Sequence, residues 1–291
     1  MAITSPGVTL AIDALFGCVK PQLDIIRKLG PTDFSADAPG VDVKPGATIK
    51  VPLSTVEAAS AFDASSNNYL TGGNTTWGSM TATHFLQGYD VSGADLDEAG
   101  SASRVKQLFS RRAGIGISMA MRNAIRSALN GTTTSTGVKI PVAASATLAD
   151  YDGLAHCKDW FDPADSCLVV NGAEYGRLKS LFHAAGLSVA NMAQELGFRE
   201  VICLAGMTAR ACIVPFSTIG FIARVPTIVA KYQEAGTETD EDSGLSIGIV
   251  VADEQKTNRI VVNGDVWFGV QVVSAPANAG TPGIINVGTA E

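Results

Sequence analysis

RVKQLFSRRAGIGISMAMRNAIRSAL, residues Arg104 to Leu129, carries six bases with its last neighbour Asn130 included, namely Arg104, Lys106, Arg111, Arg112, Arg122 and Arg126, and no acid. The spacing predicts a long helix. At about 100° per residue, Val105, Phe109, Ala113, Gly116, Ala120 and Ala124 fall on one face, and Arg104, Arg111, Arg122 and Arg126 on another. Small residues along the first face would let another backbone approach closely. Asp95, Asp97 and Glu98 stand where acids favour a helix N-terminus, Ser101 or Ser103 can cap it, and Asn130-Gly131 is expected to end it.

The segment before this helix has the opposite charge. From residue 51 to residue 103 there is no lysine or arginine, while Glu57, Asp63, Asp90, Asp95, Asp97 and Glu98 are all acidic. VDVKPGATIKVPL contains a Pro45-Gly46 turn and an alternating strand, and a returning strand is expected from Met80 to Val91. Between them, SAFDASSNNYLTGGNTTWGS is too rich in Ser, Asn, Thr and Gly to bury much of itself. An extended acidic hairpin joined to a basic helix needs a surface outside its own domain. Three readings of the basic face stay open: a solvated face, a face that meets acids of another chain, or a face toward a polyanion.

Upstream, residues 1 to 40 read as a mixed arm with a short apolar stripe at Leu15, Val19, Leu23, Ile26 and Leu29, interrupted by Pro21. Downstream, the pattern alternates. ADYDGLAHCKDWF reads as helix, SCLVVN as buried strand, GAEYGRLKSLFHAAG as helix and REVICLAG as strand, which makes the middle an α/β or α+β unit. ARACIVPFSTIGFIARVPTIVAKYQEAG mixes strand character with a short helix near Ser217 to Ile222. GTETDEDSG reads as an acidic loop, and LSIGIVVADE and NRIVVNGDVWFGVQVVSA as strands of a hairpin turning at Gln255 to Asn258.

Composition narrows the function classes. The 291 residues are 46% hydrophobic and 17% charged, with a mean hydropathy of +0.21, on the apolar side for a monomer and consistent with large subunit contacts. No uninterrupted apolar run approaches the roughly 18 to 20 residues of a membrane-spanning helix, and the N-terminus lacks the pattern of a signal peptide. A net charge of −7 argues against a general nucleic-acid binder. Five cysteines, Cys18, Cys157, Cys167, Cys203 and Cys212, without CxxC spacing fit buried reduced thiols.

Tests for chemistry leave no catalytic, cofactor-binding or metal constellation. Gly244-Leu245-Ser246-Ile247-Gly248 matches a nucleophile elbow, but an acidic loop precedes Ser246, a β-branched run follows it, and no histidine lies after His183. A serine hydrolase using Ser246 is therefore the weakest alternative. Asp240, Asp242 and Gly244 partly match a calcium loop, yet Val251 stands where the closing bidentate acid is needed, so a solvated tip is the simpler reading. His84, His156 and His183 lie on separate elements without metal-ligand spacing, and packing or surface roles are expected for them.

The order of these parts resembles the major capsid proteins of tailed bacteriophages with the HK97 fold. VKPGATIKVPL with THFLQGYDVSGADLDE is similar to the E-loop and its exit, RVKQLFSRRAGIGISMAMRNAIRSAL to the spine helix, SCLVVNGAEYGRLKSLF to the start of the A-domain, and NRIVVNGDVWFGVQVVSA to the closing P-domain strands. The resemblance implies an α+β fold: an N-terminal arm (1–40), an E-loop hairpin (41–95), the spine helix with part of the P-domain (96–148), an A-domain (149–222), and the P-domain with C-terminal strands (223–291). It implies a non-enzymatic capsid protein of the virion, assembled in the host cytoplasm from hexamers and pentamers of itself around double-stranded DNA. An encapsulin-like compartment shell is the alternative within the fold. Portal and possibly cement proteins would be further partners. Since the arm begins almost at Met1, a separate scaffold protein or a processed start is implied. No lysine lies toward the E-loop tip, only Lys44 and Lys50 at its base, so an isopeptide crosslink there is not expected. Glu57 and Asp63 of one copy are expected to meet Arg104, Arg111, Arg122 and Arg126 of another, unless those bases face the packaged DNA.

Overall fold

The computed structural model describes residues 6–30, 32–33, 48–54, 75–92, 102–133, 139–141, 165–216, 218–225, 234–239, 246–254, 259–273 and 285–288, with the single positions 94, 147 and 151. Its first element is α1, Pro6–Leu29. All five stripe residues, Leu15, Val19, Leu23, Ile26 and Leu29, are buried. The stripe is not broken at Pro21, because the helix runs straight through it. A proline inside a helix frees the carbonyl four residues earlier. Here both Pro21 and Gly17 are exposed, so water can satisfy that carbonyl while the opposite face stays anchored.

After the short β1 (Thr32–Asp33), β2 (Thr48–Ser54) and β3 (Thr75–Thr81) form a separate two-stranded sheet, in register from Thr48 opposite Thr81 to Ser54 opposite Thr75. The expected returning strand is in fact two. The chain passes through Ala82 into β4 (Thr83–Ser92), which leaves the hairpin and joins a larger sheet. The long helix follows as α2, Ala102–Thr133. It continues past Asn130-Gly131, and the Asn130 side chain accepts a hydrogen bond from the Thr208 backbone N–H at 3.2 Å, so this residue serves packing and does not end the helix.

The buried stripe of α2 is rotated from the expected one. Ser110, Ala113, Gly114, Ile117, Ser118, Met121, Ile125 and Leu129 are buried, while Val105, Phe109, Gly116, Ala120 and Ala124 flank them half-buried. The helix packs on α1 and on a sheet at once, so the larger residues four apart, Ile117, Met121, Ile125 and Leu129, fill the space between them. Close approach does occur, at Gly114: a Cβ there would lie 2.5 Å from the Leu15 carbonyl oxygen.

The remaining elements are β5 (Lys139–Pro141), β6 (Ser166–Val170), α3 (Gly172–Ala184), the one-turn α4 (Met192–Glu195), β7 (Glu200–Cys203), β8 (Ala211–Pro215), β9 (Ile219–Arg224), β10 (Glu234–Thr239), β11 (Ser246–Glu254), β12 (Arg259–Val272) and β13 (Ile285–Gly288). Two sheets result. One has the order β1-β9-β12-β11-β10, with β4 paired to β12 as its sixth strand, and the other has the order β5-β13-β8-β6-β7. The α+β architecture and the strands and helix expected at 166–170, 172–184, 200–203, 246–254 and 259–272 are present. Most of the helix read over 149–161 and the turn at Gln255 to Asn258 lie outside the described residues.

Two local expectations need correction. No helix forms over Thr218 to Ile222, the described part of the stretch read as helix at Ser217 to Ile222; instead Thr218 closes a tight turn, with its hydroxyl and N–H both donating to the Pro215 carbonyl at 2.7 and 3.3 Å, and the chain crosses from β8 in one sheet to β9 in the other. The acidic stretch read as a loop begins as strand β10, ladder-paired with β11 from Glu234 opposite Val251 to Thr239 opposite Ser246. Acidic and glycine-containing, it is suited to the edge position it takes beside β11, where charge discourages further pairing. Its continuation, Asp240 to Leu245, lies outside the described residues.

In the five-stranded sheet unit, α3 starts at an Asn171 cap whose side chain accepts from the Glu174 N–H at 2.8 Å. Glu174 is buried, and Arg210 meets it with both Nε (2.5 Å) and Nη2 (2.8 Å), while Arg210 Nη2 also reaches the Tyr151 hydroxyl. Such a fork holds well only while both partners remain. Glu174→Ala leaves the Arg210 charge half-enclosed and is expected to cost about 3–5 kcal/mol in denaturant unfolding. Two glycine changes separate packing from helix propensity. Gly176 of α3 is exposed with nothing near a new Cβ, so Gly176→Ala stabilises by about 0.5–1 kcal/mol, whereas Gly114→Ala, forced against the Leu15 carbonyl, lowers the melting temperature.

Candidate assembly surface

The outward face of α2 carries the expected bases, and the structure divides them. Arg104, Arg111 and Arg112 are exposed near the N-terminal half. Arg122 and Arg126 are partly enclosed by their own chain. Arg122 Nε donates to the Oε1 of buried Gln22 on α1 at 3.3 Å, and the Arg126 guanidinium occupies the space beside Gly206, whose φ of +85° and lack of Cβ leave room for it. Thus Arg122 and Arg126 hold α2 to the rest of the subunit. Glu57 and Asp63 lie outside the described residues.

Sequence reading missed a second property of this face. Leu108, Ile115 and Met119 are 49%, 48% and 58% exposed, among the bases Arg104, Arg111 and Arg112. Their spacing of seven and four residues puts them on one narrow arc opposite Ile117, Met121 and Ile125. The signal was available as a second apolar stripe, but a helix with apolar residues on two sides gives no clear choice of which side is inner. Beside this stripe, a groove of about 490 Å³ runs between α1 and α2, lined by Asp13, Gly17 and Cys18 on one side and Arg104, Leu108 and Arg111 on the other.

The other sequence candidates are dispersed. Ser246 opens β11 opposite Thr239, with the two hydroxyl oxygens 2.8 Å apart, and strand follows it where an elbow needs a helix. His84 of β4 stacks on Trp267 and contacts Asp265, both on β12, whereas His183 is exposed at the end of α3 and His156 lies outside the described residues. Burial pushes the Cys212 thiol up to about 12. It pushes Cys167 to about 11, with Arg199 opposing in part. Cys18 and Cys203 are half-buried and free, and Cys157 is outside the described residues. Among the described residues, no three His, Cys, Asp or Glu side chains are grouped to hold a metal ion, and no helix is long and apolar enough to cross a membrane.

No family model and no curated protein sequence matches the chain. Its structure is similar to that of a virus-like particle from Pyrococcus furiosus, with a TM-score of 0.52 and 9% identity over 94% of this chain and 96% of that one. The chain has the HK97 capsid fold. Other similar structures are a chain of Mycobacterium phage Che8 (TM-score 0.48, 11% identity, 87% of each chain) and the capsid of Ralstonia phage GP4 (TM-score 0.46, 10% identity, 85% of this chain and 84% of that one).

The division among the arginines is measurable in the folded subunit. Arg122→Ala removes the charged donor from buried Gln22 and is expected to lower unfolding stability by about 1–3 kcal/mol. Arg111→Ala, at an exposed position, is expected to stay within about 0.5 kcal/mol of the parent in the same denaturant titration.

Proposed function

We propose that this chain is the major capsid protein of a tailed bacteriophage, a structural and non-enzymatic subunit that assembles with itself into the icosahedral shell enclosing double-stranded DNA. The observation that carries the proposal is the likeness over almost the whole chain to the subunit of a particle. The domain arrangement is part of it: residues 1–40 as N-terminal arm, 41–95 as the reaching E-loop, 96–148 as spine helix with part of the P-domain, 149–222 as A-domain at the capsomer axis, and 223–291 as P-domain with C-terminal strands. The five-stranded sheet is the body of the A-domain, and β5 and β13 extend its edge from outside the 149–222 span.

In the shell, the hairpin tip of one copy lies on the outward face of α2 of its neighbour. The segment between β2 and β3, residues 55–74, has Glu57 and Asp63 and no base, together with Val56, Phe62, Tyr69 and Leu70. That composition matches a face of arginines around exposed Leu108, Ile115 and Met119. An exposed ion pair contributes only about 0–1 kcal/mol. Burying a Leu, Ile or Met side chain contributes about 1.5–3 kcal/mol, so the apolar stripe supplies most of the affinity and the charges set register and encounter rate. Packaged DNA on the same face would use Arg104 and Arg111 but leave three apolar side chains in water, which favours the protein partner. Scaffold, portal and cement proteins complete the proposed partners, and assembly takes place in the host cytoplasm. The encapsulin-like alternative is not favoured.

Electron microscopy of the purified chain, alone and with a coexpressed scaffold, is expected to show closed shells, and particles from infected cells are expected to hold nuclease-protected DNA; shells filled with a protein cargo would favour the encapsulin reading. Met119→Asp or the pair Arg111→Glu and Arg112→Glu is expected to reduce shell yield at least tenfold while leaving the subunit folded. Assembly unchanged at every salt concentration would remove this docking role. Mature particles are expected to run as a single monomer band on denaturing gels, because the hairpin tip offers no lysine for a crosslink.

A further inference from the structure

The hairpin β2–β3 is attached to the six-stranded sheet through Ala82, the one residue between β3 and β4. Its root is pressed directly on β12. A Cβ added to Gly269 would lie 2.7 Å from the Thr81 carbonyl oxygen and 3.2 Å from the Ala82 Cα. Met80, Ala82, Ile222, Trp267 and Val273 form a small core of their own at this point. Two residues beyond Ala82, the His84 ring lies parallel to Trp267, its cross-strand partner, with centroids 4.6 Å apart and planes 13° apart. His84 Nε2 contacts Asp265 Oδ1 on the same strand as Trp267, at the diagonal position of the ladder.

We propose that His84 and Asp265 form a protonation-controlled latch that fixes the root of the projecting hairpin to β12. An imidazole takes up a proton from solvent between about pH 8 and 5, a range few other side chains cover. Protonated, His84 gives Asp265 a charge-assisted hydrogen bond and presents a cation to the face of Trp267. Neutral, it leaves a carboxylate that is only 15% exposed facing an uncharged ring. Burial raises the Asp265 pKa, with the His84 hydrogen bond and charge opposing. With Asp265 ionised, loss of the imidazole proton removes the charge-assisted bond, and the root loosens as pH rises.

Among the described residues paired beside His84 and Asp265, the neighbouring strands bring one further charge. On β9, Arg224 is the register partner of Trp267. On β11, uncharged Gly248 stands opposite Asp265, and on β4 Leu86 does.

The test uses hydrogen exchange of the full, unassembled chain and so is independent of whether the chain builds shells. Exchange of peptides from 75–92, corrected for intrinsic rate and referenced to 166–184, is expected to speed up several-fold between pH 5.5 and 8. His84→Gln is expected to give the same corrected rate at both values, and Asp265→Asn, which keeps the shape of the side chain, serves the same purpose should the first variant not fold. A flat wild-type profile, or a variant that keeps the wild-type slope, overturns the latch.

Discussion

The subunit depends on one crossing, where α1 lies on α2 and both lie on β12. Gly114 brings the two helices to backbone contact at Leu15, and Gly264 of β12 lies beneath them, where a Cβ would fall 2.5 Å from Leu15 Cδ1 and 2.8 Å from Ile117 Cδ1. Two missing side chains thus set the spacing of three elements. Everything larger around the crossing, from Leu15, Val19 and Leu23 to Ile117, Met121 and Ile125, packs into the largest core. A packed interior transmits any added volume as strain, so this point tolerates substitution least.

The strand β12 carries that crossing to the rest of the molecule. Along one edge it pairs β4 from Arg259 to Phe268, and along the other it pairs β11 up to Asp265 and then β9 from Trp267 to Val272. One strand therefore holds the hairpin root, the terminal hairpin and the strand arriving from the second sheet. Its inner face, through Val262, Val266 and Phe268, belongs to the large core, while the opposite face presents Asp265 and Trp267 to His84. Core packing and the environment of the hairpin root are two sides of the same residues' alternation.

How far the fold was legible follows from where the periodicity was unambiguous. SCLVVN and NRIVVNGDVWFGVQVVSA are β-branched runs bounded by polar turns, and they form strands as read. The α1 stripe was read correctly residue by residue, but its continuity through Pro21 was missed because the penalty of a helical proline depends on whether the freed carbonyl meets water. The α2 stripe was displaced because small residues resemble a packing face in any helix, and only the neighbours decide which side receives Ile117 and Met121. β10 was read as loop because an edge strand needs no apolar alternation when its partner β11 supplies the ladder. Of the surface itself, the arginines were legible as an uncompensated charge run; Leu108, Ile115 and Met119 were not, since exposure is a property of what fails to cover them.

By itself, the sequence determined the charge contrast between the segment 51–103 and the helix after it, and the order of elements, because composition and local periodicity are fixed along the chain. Tertiary structure alone decided that Arg122 and Arg126 serve their own subunit while Arg104, Arg111 and Arg112 face outward with an apolar stripe. It alone brought His84 to Asp265 across 181 positions of chain. Local pattern states what a residue can do, and three-dimensional contact between distant segments selects which of those possibilities its surroundings leave available.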